Sequence, residues 1–297
     1  MKNRIILFIM LFFTGFLACE KNITIISPNL PAKLVVDAQI ESASPPIVVL
    51  STSLNYFSSI DTADLNKSFV RTAKVTLTDG TKTSTLKQFE QVLPGGFKYV
   101  YYTNDPTNPA GVIIGAFGKS YTLTVEFNGQ TYKSTTTIPL LTKKIDSIFF
   151  KIVPNRPVSD SFRIISAKIT DPLGLGNYIR YFTKVNSQQF LPGFNSVFDD
   201  NVIDGKTYTV DIPRGTDKNF PVERDNYGFY KKGDTVLIKY SNIDKATYDF
   251  WTTWEYTYQS VGNPFSSPGV VIGNVSNGAL GAFCGYANSF NQIIIPK

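Results

Sequence analysis

The sequence predicts an all-β, mainly antiparallel protein, on three observations. Asp79-Gly80, Asn128-Gly129 and Asp204-Gly205 each lie between runs of alternating or β-branched residues. Such pairs tolerate the positive φ of tight hairpin turns. The 297 residues include 23 Phe, 16 Tyr and 2 Trp, a composition suited to pleated, half-buried surfaces. One stretch alone carries a sustained helical period. The expected architecture is an N-terminal immunoglobulin-like β-sandwich over residues 32–140 and a second β-rich domain over 145–297 carrying one amphipathic helix. Pro139 to Lys144 divides the two.

The chain opens on a targeting segment. Lys2 and Arg4 precede Ile5–Ala18, which holds no charge. That run is shorter than the ~20 residues needed to span a bilayer and fits the apolar region of a secretory signal. It ends in Phe16-Leu17-Ala18-Cys19, which resembles a bacterial lipobox, with Phe16 where Leu is commoner. On this reading residues 1–18 are the signal peptide, and Cys19 is lipidated with diacylglycerol and palmitate. Residues 19–31 are then a lipid-anchored tether, where Pro28 and Pro31 resist regular structure. Glu20-Lys21-Asn22 is similar to the surface-export signals of Bacteroidota lipoproteins. The expected location is the cell envelope, at the outer membrane and open to surface exposure.

Strand patterns follow in order. Lys33–Ile40 and Ile47–Leu50 flank Pro45-Pro46. Lys74–Thr78 alternates cleanly, turns at Asp79-Gly80 and returns as Thr81–Leu86. Tyr121–Phe127 turns at Asn128-Gly129 and returns as Gln130–Ile138. Beyond the divide come Ile145–Val153, Phe162–Thr170, Tyr178–Val185, Thr235–Tyr240 and Gln292–Ile295, with a third hairpin read from Asn201–Ile203 through Asp204-Gly205 to Lys206–Ile212. The helix is expected near 244–260, with Asn242 or Asp244 as its cap. Tyr248, Trp251, Trp254 and Tyr258 fall within an arc of about 120° at 100° per residue. That stripe either packs the helix on the second sheet or offers an aromatic platform to sugar or peptide. Tyr99 and Tyr101 share a strand face, with Tyr102 opposite.

Composition removes whole classes of chemistry. There is no histidine, so no Ser-His, Cys-His or His-metal arrangement exists. Loss of the signal takes two of the 29 basic residues and none of the 23 acidic ones, leaving +4. With no dense Lys/Arg run, nucleic acid is not an expected partner. Cys284 is the remaining thiol and sits in an apolar run, a buried inert position. Ser84 and Lys87 are three apart in a strand and point to opposite faces. Gly174-Leu175-Gly176 has Ile179 where a dinucleotide fingerprint needs its third glycine. Asp199, Asp200 and Asp204 gather without EF-hand spacing, an acidic turn with weak potential for a calcium site. No cofactor, no other metal site and no catalytic group are expected.

Several stretches resemble one family. They are Leu34-Val35-Val36-Asp37, Ala73–Gly80, Gly118–Leu123, Asp171-Pro172 with Asn177-Tyr178-Ile179-Arg180, Asn263-Pro264-Phe265, Gly273-Asn274-Val275 with Asn277-Gly278, and Gly281-Ala282-Phe283 with Tyr286. Together with the lipobox and tether, their order resembles the Bacteroidota lipoprotein family known as domain of unknown function 4249. The resemblance implies an outer-membrane lipoprotein, encoded beside TonB-dependent receptors and acting as accessory or ligand-binding partner in nutrient uptake. It brings no catalytic residues. Candidate ligand or partner contacts are Trp251, Trp254, Tyr258, Asn177 and Arg180. Asn177, Arg180, Asn263, Asn274 and Asn277 suit structural turns and caps equally well. The alternatives in function are a surface adhesin or structural envelope protein, and a hydrolase using carboxylates alone.

Overall fold

Strand alternation determines the layers. In β1 (Leu34–Glu41), Leu34, Val36, Ala38 and Ile40 are buried while Asp37 and Gln39 are exposed, so one face looks into a core and the other outward. The computed structural model describes residues 31–54, 60–220, 224–263, 266–267 and 269–297. The signal segment 1–18, Cys19 and the tether as far as residue 30 lie outside the described residues.

The first half contributes β2 (Ile47–Thr52), helix α1 (Thr62–Ser68), β3 (Lys74–Thr78), β4 (Thr83–Thr85), β5 (Lys87–Val92), β6 (Lys98–Thr103), β7 (Lys119–Phe127) and β8 (Gln130–Ile138). The second contributes β9 (Ile145–Ile152), β10 (Phe162–Thr170), β11 (Tyr178–Val185), β12 (Leu191–Phe198), β13 (Thr207–Asp211), β14 (Tyr230–Lys231), β15 (Thr235–Ile243), helix α2 (Lys245–Ser260) and β16 (Leu280–Ile294). The all-β, mainly antiparallel fold class holds.

Eight strands form one large sheet in the order β12-β11-β15-β16-β1-β2-β6-β5. It draws four strands from each side of the expected divide at Pro139 to Lys144. The join is β1 against β16, a parallel pair running from Val35↔Leu280 to Glu41↔Tyr286. Two smaller sheets cover the inner face of the large one. The first, β4-β3-β7-β8, shares a core with β1 and β2, in which Val36, Ile40 and Leu50 meet Leu77, Leu123 and Ile138. The second is built around β10, flanked by β9, β13 and β14, and shares a core with β11 and β15. Ala32–Lys297 cluster as one compact unit. Among the described residues no helix is long and apolar enough to cross a membrane.

Turn chemistry explains two of the expected hairpins. At Asn128-Gly129 both residues have positive φ, 49° and 73°, and β7 and β8 pair from Phe127↔Gln130 outward. At Asp79-Gly80 only Gly80 is left-handed, and the Asp79 carboxylate accepts the Thr81 and Lys82 amides instead.

The third expected hairpin does not form. Asn201–Gly205 is a turn, and β12 and β13 lie in different sheets. The Asp204 carboxylate accepts the Gly174 amide at 2.7 Å, and that of Asp200 accepts the Gly176 and Asn177 amides at 3.0 Å each. These bonds bind the turn to a neighbouring loop in place of a strand partner.

The strand expected at Gln292–Ile295 is the tail of a longer one, β16. Its small residues hide it. A Cβ on Gly285 would press against the Thr137 carbonyl of β8, and one on Gly281 against the Val36 carbonyl of β1. Glycine there permits close approach of backbones, at the expense of a readable strand pattern. Asn274 braces the same region. Its side chain accepts the Phe283 amide and the Ser134 hydroxyl and donates to the Phe283 carbonyl.

The segment between the halves is tied to the body at Lys143, which is buried, while Leu140 is exposed. Asn242 exchanges two hydrogen bonds with the Lys143 backbone, at 2.9 and 2.7 Å. The Lys143 ammonium pairs with Asp171, and both side chains are fully buried. Removing one partner of such a pair strands a charge in the interior. Lys143→Ala is expected to cost about 3–5 kcal/mol by urea unfolding, and Lys143→Met with Asp171→Leu to recover most of that loss.

Candidate functional site

Helix α2 begins where Asp244 caps the Thr247 amide at 2.8 Å. The second oxygen of Asp244 accepts the Thr137 amide and Thr136 hydroxyl at 2.7 and 2.9 Å, which ties the helix start to β8. The aromatic stripe faces the sheet. Tyr248 stacks on Tyr178 at 4.7 Å, Trp254 stacks on Tyr258 at 5.4 Å, and Trp251 donates to the Tyr286 hydroxyl at 2.8 Å.

Under the stripe lies a buried charged network. The Arg180 guanidinium sits 3.4 Å from the Trp251 ring centre and donates to the Ser196 and Tyr286 hydroxyls at 3.0 and 3.1 Å. Glu255, also buried, accepts the Ser196 amide at 2.8 Å and its hydroxyl at 2.5 Å. Lys218 reaches the same carboxylate at 3.4 Å and lies over Trp254. Burial lowers the Lys218 pKa, with Glu255 pulling the other way and Arg180 adding to the lowering. Burial also pushes the Cys284 thiol up to about 12, which leaves it protonated and unreactive. Trp251, Tyr258 and Arg180 therefore spend their polar groups, and Trp254 its ring face, on seating the helix. Tyr258 donates to the Lys218 carbonyl in the same way. Asn177 serves the loop clasp, donating to the Gly174 carbonyl and to Asp200.

The acidic residues divide. Asp171, Asp200 and Asp204 bring carboxylate oxygens within 4.8 Å of one another. Asp199 faces away, accepting from Asn201 and Tyr248. Within the trio, Lys143 pairs with Asp171, and backbone amides donate to Asp171, Asp200 and Asp204. This is the chemistry of a clasp between two loops.

A broad cleft of about 630 Å³ opens beside Phe162, Tyr227 and Phe229. Several of its polar groups bond to one another or to the backbone, and the Lys231 ammonium lies over the Phe162 ring. Arg214 donates to Gln188, Asp217 accepts from Asn219, and Tyr227 accepts the Phe194 amide.

The outer face of the large sheet is different. Helix α2 roofs only the β12-β11-β15-β16 half, packing on Tyr178, Phe182, Ala282 and Tyr286. Among the described residues the β1-β2-β6-β5 half remains open. Across it, register aligns Asp37 with Val49, and Tyr101 with Phe89, while Val48↔Tyr102 places Val49 beside Tyr101. The rings of Tyr99 and Phe89 both stack on Tyr101 at 5.7 Å. Tyr102 turns inward and is buried.

Asp37 is exposed on this face, and among the described residues its carboxylate has neither hydrogen-bond nor ion-pair partner. The protein crowding around it thins its hydration and raises its pKa, against the opposing pull of Arg180. The phenol of Tyr99 is raised too, by burial and by Asp37. An uncommitted carboxylate on a central strand, beside a row of stacked rings, is the best-formed recognition site described. The sequence signal for it is Asp37 standing out of phase with the buried Leu34, Val36, Ala38 and Ile40.

A family model matches residues 20–291. The chain belongs to that family, described as Domain of unknown function (DUF4249). The DUF4249 match takes in β1, helix α2 and most of β16, hence the whole open half and the helix that roofs the other half. A search of the curated proteins finds no match.

Two outcomes test this division between framework and site. Trp251→Ala is expected to destabilise the protein by about 3–5 kcal/mol, measured by urea unfolding, because it uncovers Arg180. Asp37→Asn should act oppositely. A carboxyl whose folded pKa is raised weakens the fold as pH rises through that value. Replacing it should raise Tm by about 1–2 °C at pH 7 and leave Tm unchanged at pH 3.

Proposed function

We propose that this protein is a non-catalytic envelope lipoprotein, anchored by lipid on Cys19 at the outer membrane. It acts there as accessory or ligand-binding partner of a TonB-dependent receptor in nutrient uptake. The observation that carries the binding role is the open half-sheet, with uncommitted Asp37 beside Tyr99, Tyr101 and Phe89. A carboxylate next to aromatic faces favours a cationic or N–H-bearing group, drawn by charge and by the ring quadrupoles. Central strands hold the site rigid, so little ordering is needed on binding. The anchoring role is supported by the basic start, apolar run and Cys19 of the sequence. The tether of about 12 residues reaches at most about 40 Å, enough for the body to meet a neighbouring barrel.

Radiolabelled palmitate should enter the native polypeptide and be absent from the Cys19→Ala form. Pull-down of the detergent-extracted lipoprotein should recover a β-barrel receptor, and Asp37→Asn with Tyr101→Ala should reduce that recovery while lipid labelling persists. Equal labelling of both forms contradicts the anchor, and repeated failure to recover a receptor contradicts the partnership.

A further inference from the structure

The second sandwich does not close along one side. β12 and β13 are edge strands of different sheets, and residues 199–206 cross between them. Behind this crossing lies a cavity of about 310 Å³, on the inner side of the large sheet and so separate from the open face. Its walls are apolar or aromatic, including Ile169, Ile179, Val210 and the rings of Tyr181, Tyr208 and Tyr240. Its mouth is formed by Phe198 and Val202, which are 43% and 80% exposed. The mouth is preformed, because Asp200 and Asp204 lock the crossing onto the loop at 174–177.

Two features indicate what this space takes. Its volume corresponds to about ten waters at ~30 Å³ each, at the lower end of ligand sites and enough for one short chain or ring. The charged residues of the lining are Asp199 and Asp211, with no Lys or Arg, so an anion is disfavoured.

We propose that this cavity binds a small, neutral, largely apolar molecule with one medium-length chain or ring. The space is too small for a two-chain lipid, so the occupant is a free molecule.

The test uses the soluble chain from Glu20 to Lys297, which retains the whole compact unit beginning at Ala32. The neutral fluorophore N-phenyl-1-naphthylamine should bind saturably at one site. 2-Decanone should displace it, and decanoate should do so at least about tenfold less well. Val202→Asp changes an exposed position and should weaken binding about tenfold without altering the melting curve. Val210→Trp should fill the cavity and abolish binding in protein that still melts cooperatively. No saturable uptake, equal displacement by decanoate, or binding unchanged in Val202→Asp would overturn the site.

Discussion

The parallel pairing of β1 with β16 is the constraint on which the rest depends. It joins the first strand of the body to the last, at the centre of an eight-stranded sheet. Parallel neighbours need a crossover between them, and here the intervening chain supplies it, with both sandwiches built inside that connection. Gly281 allows the close approach to β1, and Gly285 that of β8. Because the pairing makes one sheet from both halves, charge on β1 and aromatic groups on β11 share an outer surface.

That surface is then divided by helix α2. On the roofed half, three charged side chains are withdrawn from water and survive by satisfying one another through Ser196 and Tyr286. Such networks add little net stability but are costly to break, so they suit fixing the helix in a single seating. On the open half the opposite holds. Asp37 is left without a partner and its ionisation opposes folding, a local sacrifice of stability of the kind binding sites make. The contrast between committed Arg180 and uncommitted Asp37 supports the proposed placement of the site, since both carry charge on the same face of the same sheet.

Much of this was legible in the sequence. Alternation in Lys74–Thr78, Gln130–Ile138 and Tyr178–Val185 marked strands at their observed bounds, and Asp244 marked the helix cap. Local pattern failed where tertiary contacts decide. Asp204-Gly205 carries hairpin chemistry, but the bonds of Asp200 and Asp204 to a distant loop redirect it. The Gly-rich start of β16 reads poorly because its small residues answer to neighbouring backbones rather than to strand propensity. Trp and Tyr on α2 drew attention as possible contacts through their chemistry, yet periodicity cannot tell a platform from a packing face. Asp37 was visible as a charge within a strand, but its lack of a partner is a three-dimensional fact.

The account's central claim is that the open half-sheet is the working surface. Hydroxyl-radical footprinting compares the isolated protein with the same protein in the outer-membrane setting proposed for it. The account predicts that Tyr99, Tyr101 and Phe89 oxidise readily in isolation and are protected in the membrane, while Phe198 on the far side reacts alike in both. Equal oxidation of Tyr99 and Tyr101 in the two preparations would contradict it.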